Sequence, residues 1–237
     1  MRKPHSPLII LAVSAALLAG CGGGTHGSAT LWVTRDEGRT VLVDTTVPAG
    51  ETALQALDRK ADISTRYGGK FVESVNGVAG SIAKRSDWFY FVNGIEVSRG
   101  AQEYRLHDGD VLWWDYRDWG RLGESRPMVV GAYPEPFLHG FDGRTRPTDV
   151  AYERTASRSD ALLIAKQVRA RMVVGPGDAG VGPGSNRIVI SSTPQLASIA
   201  PSGTSDGTQF ELDLGWKTAA RLAHDPNALR FEYGSPP

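Results

Sequence analysis

The sequence predicts an α+β protein, and three observations carry that prediction. Two runs rich in aromatic and β-branched residues, Trp88-Phe89-Tyr90-Phe91-Val92 and Val111-Leu112-Trp113-Trp114-Asp115-Tyr116, are bounded by turn residues and read as strands. A helical stripe of Ala53, Leu54, Leu57 and Ala61 is set between strand-like runs. Beyond residue 126, strand-like runs alternate with helical periodicity, as in a layered α/β structure.

Residues 1–21 read as a targeting segment. Arg2 and Lys3 precede Leu8 to Leu18, an apolar run too short to span a bilayer as a mature helix. It ends in Leu18-Ala19-Gly20-Cys21, which resembles the bacterial lipobox, whose cysteine is acylated and becomes the first mature residue. Cys21 is the only cysteine of 237 residues, so it has neither a disulfide partner nor a cysteine metal site. Residues 22–29, opening with three glycines, form a flexible tether. These features predict a chain lipid-anchored to the bacterial cell membrane on its extracytoplasmic side, with the lipid as its only covalent addition. Loss of Arg2 and Lys3 from 26 basic residues leaves 24 against 26 acidic ones. That balance offers no electrostatic footprint for nucleic acid.

Residues 30–119 are expected to form the first domain. Thr30 to Thr34 and Thr40 to Asp44 flank the polar turn Arg35-Asp36-Glu37-Gly38-Arg39 and read as a hairpin. Pro48-Ala49-Gly50 stops the second strand. Thr52 and Gln55 have the spacing of a capping box at the start of a short helix. Phe71 to Val75 is the next strand, turned by Asn76-Gly77. Asn93-Gly94 suits a two-residue turn after Trp88 to Val92, because both central positions of a type I′ turn need φ > 0. The order gives a mixed sheet with one helix across a face, as in the β-grasp.

Three stretches carry a further resemblance: Glu73-Ser74-Val75-Asn76-Gly77-Val78-Ala79-Gly80, Trp88 to Gly94, and Gly109-Asp110-Val111-Leu112-Trp113. In this order and spacing they resemble the C-terminal β-domain of transcobalamin and intrinsic factor and its bacterial relatives, which occur largely on secreted or lipid-anchored proteins. The resemblance covers about 90 residues. It implies one jaw of a cobalamin or corrinoid site. In the vitamin carriers the other jaw is an α/α-barrel, which this sequence lacks. The expected partners are therefore an α/α-barrel cobalamin-binding protein or a corrinoid transporter.

The residues can also be weighed without the family. On a strand through Val111 to Tyr116, Leu112, Trp114 and Tyr116 share one face, while Val111, Trp113 and Asp115 share the other. An aspartate is rarely buried unpaired, so the face of Asp115 is expected to be wet and Trp113 exposed or half-exposed. Which of Trp88-Tyr90-Val92 or Phe89-Phe91 turns inward is left open. The candidate ligand-binding residues are Trp88, Tyr90, Asn93 and Trp113, with Asn93 serving first as a turn former.

Gly120 to Pro127 reads as a linker that few long-range contacts should cross, and residues 126–235 as a small α/β domain of unknown role. Strands are expected at Met128 to Tyr133, Thr148 to Tyr152, Arg187 to Ser191, Gln209 to Leu214 and Leu229 to Tyr233. Helices are expected at Ser159 to Arg171, with Leu162, Leu163, Ala165, Val168 and Met172 as its stripe, and at Lys217 to His224. Gly175-Pro176-Gly177-Asp178-Ala179-Gly180 matches the dinucleotide pattern by letter. However, Gly182-Pro183-Gly184 follows and forbids the helix that would hold a pyrophosphate. Gly203-Thr204-Ser205-Asp206-Gly207 matches a hydrolase elbow but precedes a strand, the reverse of what an elbow requires. His139, near Asp142, is the only histidine in suggestive company.

The residues point to a non-enzymatic surface protein. One reading is a corrinoid-binding lipoprotein that works in uptake; the alternative is a protein–protein adaptor of the envelope with no small-molecule ligand. Cys21→Ser should abolish lipidation, since no thioether can form and the tether has no apolar anchor of its own. Partitioning of the mutant into detergent like the wild type would contradict the anchor.

Overall fold

The computed structural model describes residues 27–122, 127–178, 180, 182–202 and 209–235. Cys21, most of the tether, the centre of the expected linker and Gly203 to Gly207 lie outside the described residues.

The described chain is α+β, with its strands in three sheets and only short helices. Strands β1 (Ser28–Arg35) and β2 (Thr40–Pro48) form the expected hairpin, longer at both ends than the polar flanks suggest. Helix α1 (Ala53–Asp58) begins at a complete capping box. Gln55 N–H donates to Thr52 Oγ1 (3.2 Å), and Thr52 N–H to Gln55 Oε1 (2.9 Å). Strands β3 (Ile63–Arg66), β4 (Phe71–Val75) and β5 (Val78–Ala79) make a small antiparallel sheet. Strands β6 (Ser86–Val92), β7 (Ile95–Glu96) and β8 (Val111–Asp118) complete the first large sheet, ordered β2-β1-β8-β6-β7. Its β1–β8 pair is parallel and its other pairs are antiparallel. Asn76-Gly77 and Asn93-Gly94 both adopt positive φ at each position, as their turns require.

A short helix α2 (Trp119–Leu122) follows. The second half contains β9 (Thr148–Tyr152), α3 (Arg158–Gln167), β10 (Met172–Val174), β11 (Asn186–Ser191), β12 (Ala197–Pro201), β13 (Phe210–Gly215) and α4 (Trp216–His224). Its sheet is ordered β10-β9-β11-β13-β12, parallel except for β12. Ile188 and Ile190 of β11 and Leu212 and Leu214 of β13 are buried with Ala161 and Ile164 of α3 and Ala219 and Leu222 of α4.

Three expectations for this half are corrected. Met128 to Tyr133 is not a strand: Met128 makes one bridge to Ile95, and Val130–Ala132 is a 3-10 turn. Leu229 to Tyr233 is a turn followed by irregular chain. Both segments are apolar because they are buried, Val129, Ala132 and Tyr233 against the first sheet and Met128, Val130, Tyr133 and Leu229 in the second core. A buried irregular segment has a strand's composition without its pairing. Helix α3 stops near Gln167, and Arg169 takes a left-handed φ of 52°. Its stripe is Ala161 and Ile164, while Leu162 and Leu163 are exposed.

The first large sheet is covered on both faces. On one, Leu31, Val33, Trp88, Tyr90, Val92, Leu112 and Trp114 pack against α1 and β4. On the other, Trp32, Phe91 and Trp113 pack against Val129, Ala132 and Tyr233. The expectation that few contacts cross residues 120–127 fails here, because both of these covering segments come from beyond it. The expected wet face is absent too: Trp113 is 0 % exposed, Trp114 2 % and Asp115 0 %. The alternation was read correctly, but a second layer covers the face assigned to water.

Trp113→Ala and Trp114→Ala should each cost roughly 3–5 kcal/mol as large truncations in a packed core. Chemical denaturation measures both, and a near-neutral Trp113→Ala would contradict the two-faced burial.

Candidate functional site

The outer edge of β6 opens into a cleft of about 600 Å³, between Lys70, Phe71 and Val72 on one side and the Glu96–Ala101 segment on the other. This volume lies within the range of small-molecule sites. Trp88, Phe89, Tyr90 and Trp114 line its floor. Tyr90 stacks on Trp114 with ring centroids 4.9 Å apart, and Trp88 leans on Tyr116 at 5.3 Å.

Polar tips fix these rings. Trp88 Nε1 donates to the Val78 carbonyl (2.8 Å), and Tyr90 OH to the Arg99 carbonyl (2.6 Å). Burial raises the pKa of the Tyr90 hydroxyl, which keeps it a donor. Trp114 Nε1 has no partner among the described residues. Arg99 lies over Tyr104 at 4.8 Å and pairs with Asp142 at 2.8 Å. The cleft thus combines aromatic side chains held by their polar tips with charged groups, the paired Arg99 together with Lys70, Glu96 and Glu103. Beside it lies a second hollow of about 480 Å³ that shares Phe71. Its wall carries two conspicuously exposed apolar side chains, Tyr67 (78 %) and Ile82 (89 %).

The four predicted ligand contacts do not form one open face. Trp88 and Tyr90 line the cleft but are almost wholly buried. Trp113 lies on the opposite face of the sheet, with its Nε1 donating to Thr34 Oγ1 at 2.7 Å. Asn93 is fully buried. Its Nδ2 donates to Asp110 Oδ1 (2.7 Å) and the Gly140 carbonyl (2.8 Å), and its Oδ1 accepts from Val111 N–H (2.8 Å). Every side-chain polar atom of Asn93 is therefore engaged inside the protein.

Sequence reasoning missed the buried carboxylates. Asp115 accepts from Thr34 Oγ1 (2.6 Å), Tyr233 OH (2.7 Å), Glu37 N–H (3.1 Å) and Gly38 N–H (3.3 Å). Burial raises its pKa against these bonds, and Tyr233 beside it is also pushed upward by burial. Glu135 is buried and accepts from His139 N–H (2.9 Å), with His139 Nδ1 2.5 Å away. His139 therefore pairs with Glu135 and not with Asp142. The i, i+4 spacing was visible in the sequence, but the three intervening residues, Pro136, Phe137 and Leu138, have no helical periodicity and gave no reason to join them. Burial also raises the pKa of Glu135 and of Asp110, and the two charges oppose each other. A larger groove, about 860 Å³, runs between Glu37–Arg39, α4 and the C-terminal segment. Among the described residues no three His, Cys, Asp or Glu side chains gather as a metal site would require.

Comparison with known proteins places a family model described as a domain of unknown function, DUF4430, on residues 50–118. The chain is similar to haptocorrin solved in complex with Cbi, at 17 % identity over 39 % of this chain and 26 % of that one, with a TM-score of 0.32. It is also similar to a Ruminococcus gnavus protein described as a candidate metal-binding protein, at 17 % identity over 39 % of this chain and 98 % of that one, with a TM-score of 0.33. The matched part thus spans about a quarter of haptocorrin. No curated protein matches the chain.

Two measurements check the buried carboxylates. Tyr233→Phe removes one of four donors to Asp115 and should cost about 1–3 kcal/mol. For Glu135 the folded pKa is raised, so its contribution to stability is fullest below the ordinary value of 4.5 and is lost as pH rises through the folded value. The stability advantage of wild type over Glu135→Gln should widen on acidification from neutral pH toward that ordinary value. A gap that narrows would contradict the raised pKa.

Proposed function

We propose that this is a lipid-anchored, extracytoplasmic binding protein whose ligand, a corrinoid, seats in the aromatic cleft beside β6 during uptake. The cleft carries the reading. Its whole lining, Lys70 to Trp114, lies inside the segment matched by the family model, and its floor is aromatic. One of the motifs resembling the transcobalamin β-domain, Trp88 to Gly94, supplies Trp88, Phe89 and Tyr90 of that floor. An open cleft holds one side of a ligand, so a second protein, an α/α-barrel binder or a transporter, is proposed to close over the other. No reaction is assigned to the protein; it binds and hands over.

The exposed Tyr67 and Ile82 beside the cleft support a second reading, in which this surface docks an envelope protein and no small molecule is involved. Titration of the chain from residue 22 onward with cobalamin and cobinamide, followed by calorimetry and tryptophan fluorescence, separates the two. Saturable binding of either corrinoid, weakened by Trp88→Ala in a folded protein, supports the first reading. No heat and no quenching at millimolar corrinoid leaves the adaptor.

A further inference from the structure

The wall of the cleft contains an unpaired stretch of strand edge. In an antiparallel pair, alternate residues turn their N–H and C=O groups toward the partner strand. Asn93 N–H donates to the Val111 carbonyl at 2.9 Å, toward β8. Ser86 instead exchanges both of its backbone bonds with Ser81, at 3.1 and 2.8 Å, on the side away from β8. Odd-numbered residues of β6 therefore face β8, and Trp88, Tyr90 and Val92 turn their backbone groups outward. Most of these outward groups are taken. Trp88 N–H donates to Asp87 Oδ1 (2.8 Å), the Tyr90 carbonyl accepts from Val97 N–H (3.2 Å), and Val92 pairs with Ile95. The Trp88 carbonyl and the Tyr90 N–H have no partner among the described residues. They flank Phe89, and all three residues line the cleft.

An acceptor and a donor flanking one residue on a strand edge are what a single residue of a parallel neighbour satisfies, with its own N–H and C=O. A carboxamide presents the same donor and acceptor side by side in one plane. We propose that the cleft recognises a carboxamide-bearing ligand through this backbone pair. The amide N–H donates to the Trp88 carbonyl, its C=O accepts from Tyr90 N–H, and the ligand body lies along the cleft beside them. An extended peptide would offer the same groups, but Asp87 and Val97 close the free edge on either side of that one residue. Strand addition has no room to propagate, which favours a small molecule. Carboxylates and esters lack the donor, so the pair selects by hydrogen-bond pattern and not by charge. The aromatic floor keeps water from competing for the two groups.

The inference deepens the corrinoid reading and rests on it, because corrinoids such as cobinamide carry carboxamide side chains around the ring. The same protein is titrated with dicyanocobinamide and with the heptamethyl ester of dicyanocobyrinic acid, in which esters replace the amides. The ester should bind roughly 3- to 10-fold more weakly, the effect of one hydrogen bond. Incorporating the α-hydroxy acid analogue of tyrosine at position 90 removes the N–H and also weakens the Phe89 carbonyl as an acceptor toward β8. It should weaken cobinamide by a similar factor and the ester with it, since both keep the carbonyl that accepts from Tyr90 N–H. Should that backbone change prevent folding, hydrogen exchange at Tyr90 N–H in the wild type gives the same answer, slowing when cobinamide is bound. Equal binding of amide and ester, or unchanged exchange at Tyr90 with cobinamide bound, overturns the amide contact and leaves corrinoid binding standing. Failure of both compounds to bind overturns the corrinoid reading and this inference with it.

Discussion

The junction of the two halves depends on one buried carboxylate. Asp115 sits in a central strand of the first sheet, and its side chain enters the layer between that sheet and the C-terminal segment. A carboxylate in such a place is costly unless its lone pairs are met. Here two come from the β1–β2 turn, one from β1 itself and one from Tyr233, more than a hundred residues away. Thr34 also accepts the Trp113 indole N–H, so the polar node and the aromatic cluster share one atom. Nearby, Arg117 lies over Phe89 at 3.9 Å and pairs with Glu96 at 3.3 Å, placing a second satisfied charge on the same face. The face is polar in sequence and dry in structure because its polar groups meet one another.

This explains where the sequence was informative and where it misled. The capping box at Thr52 and Gln55, the two Asn-Gly turns and the aromatic strands are local features, set by neighbours three or fewer residues away, and they were legible. The short strands β3, β7 and β10 carry too few residues for a period and exist through their partners. The exposure of Trp113 turned on whether anything covers its face, and the cover comes from Val129, Ala132 and Tyr233. None of these lies near Trp113 in the chain, and composition could not say which way they turn. Of the site, Trp88 and Tyr90 were found because aromatic residues at a strand edge stand out. The open backbone pair beside them was invisible, since it depends on pairing parity and on Asp87 and Val97 as stoppers.

Two-faced burial also clarifies what kind of site the protein can offer. A sheet covered on both faces has no broad surface for a ligand, and only its margins remain. The cleft occupies such a margin, where β6 lies next to the two-residue strand β7 and the small β3-β4-β5 sheet stands off from the edge. Its floor is held by the core itself: Trp88, Tyr90 and Trp114 are core residues. Contacts made there inherit the rigidity of the interior, which lowers the ordering cost of binding.

Gly38 gives the junction a lineage constraint. It has φ of +80°, and a side-chain carbon there would collide with the Phe231 carbonyl oxygen. The hairpin tip therefore fits the C-terminal segment only as bare backbone, in the same turn whose N–H groups hold Asp115. Descendants of this chain cannot exchange one of these parts freely. A tip from one sequence and a tail from another would meet out of register, so the turn near residue 38 and the segment 229–233 must be inherited as a matched pair.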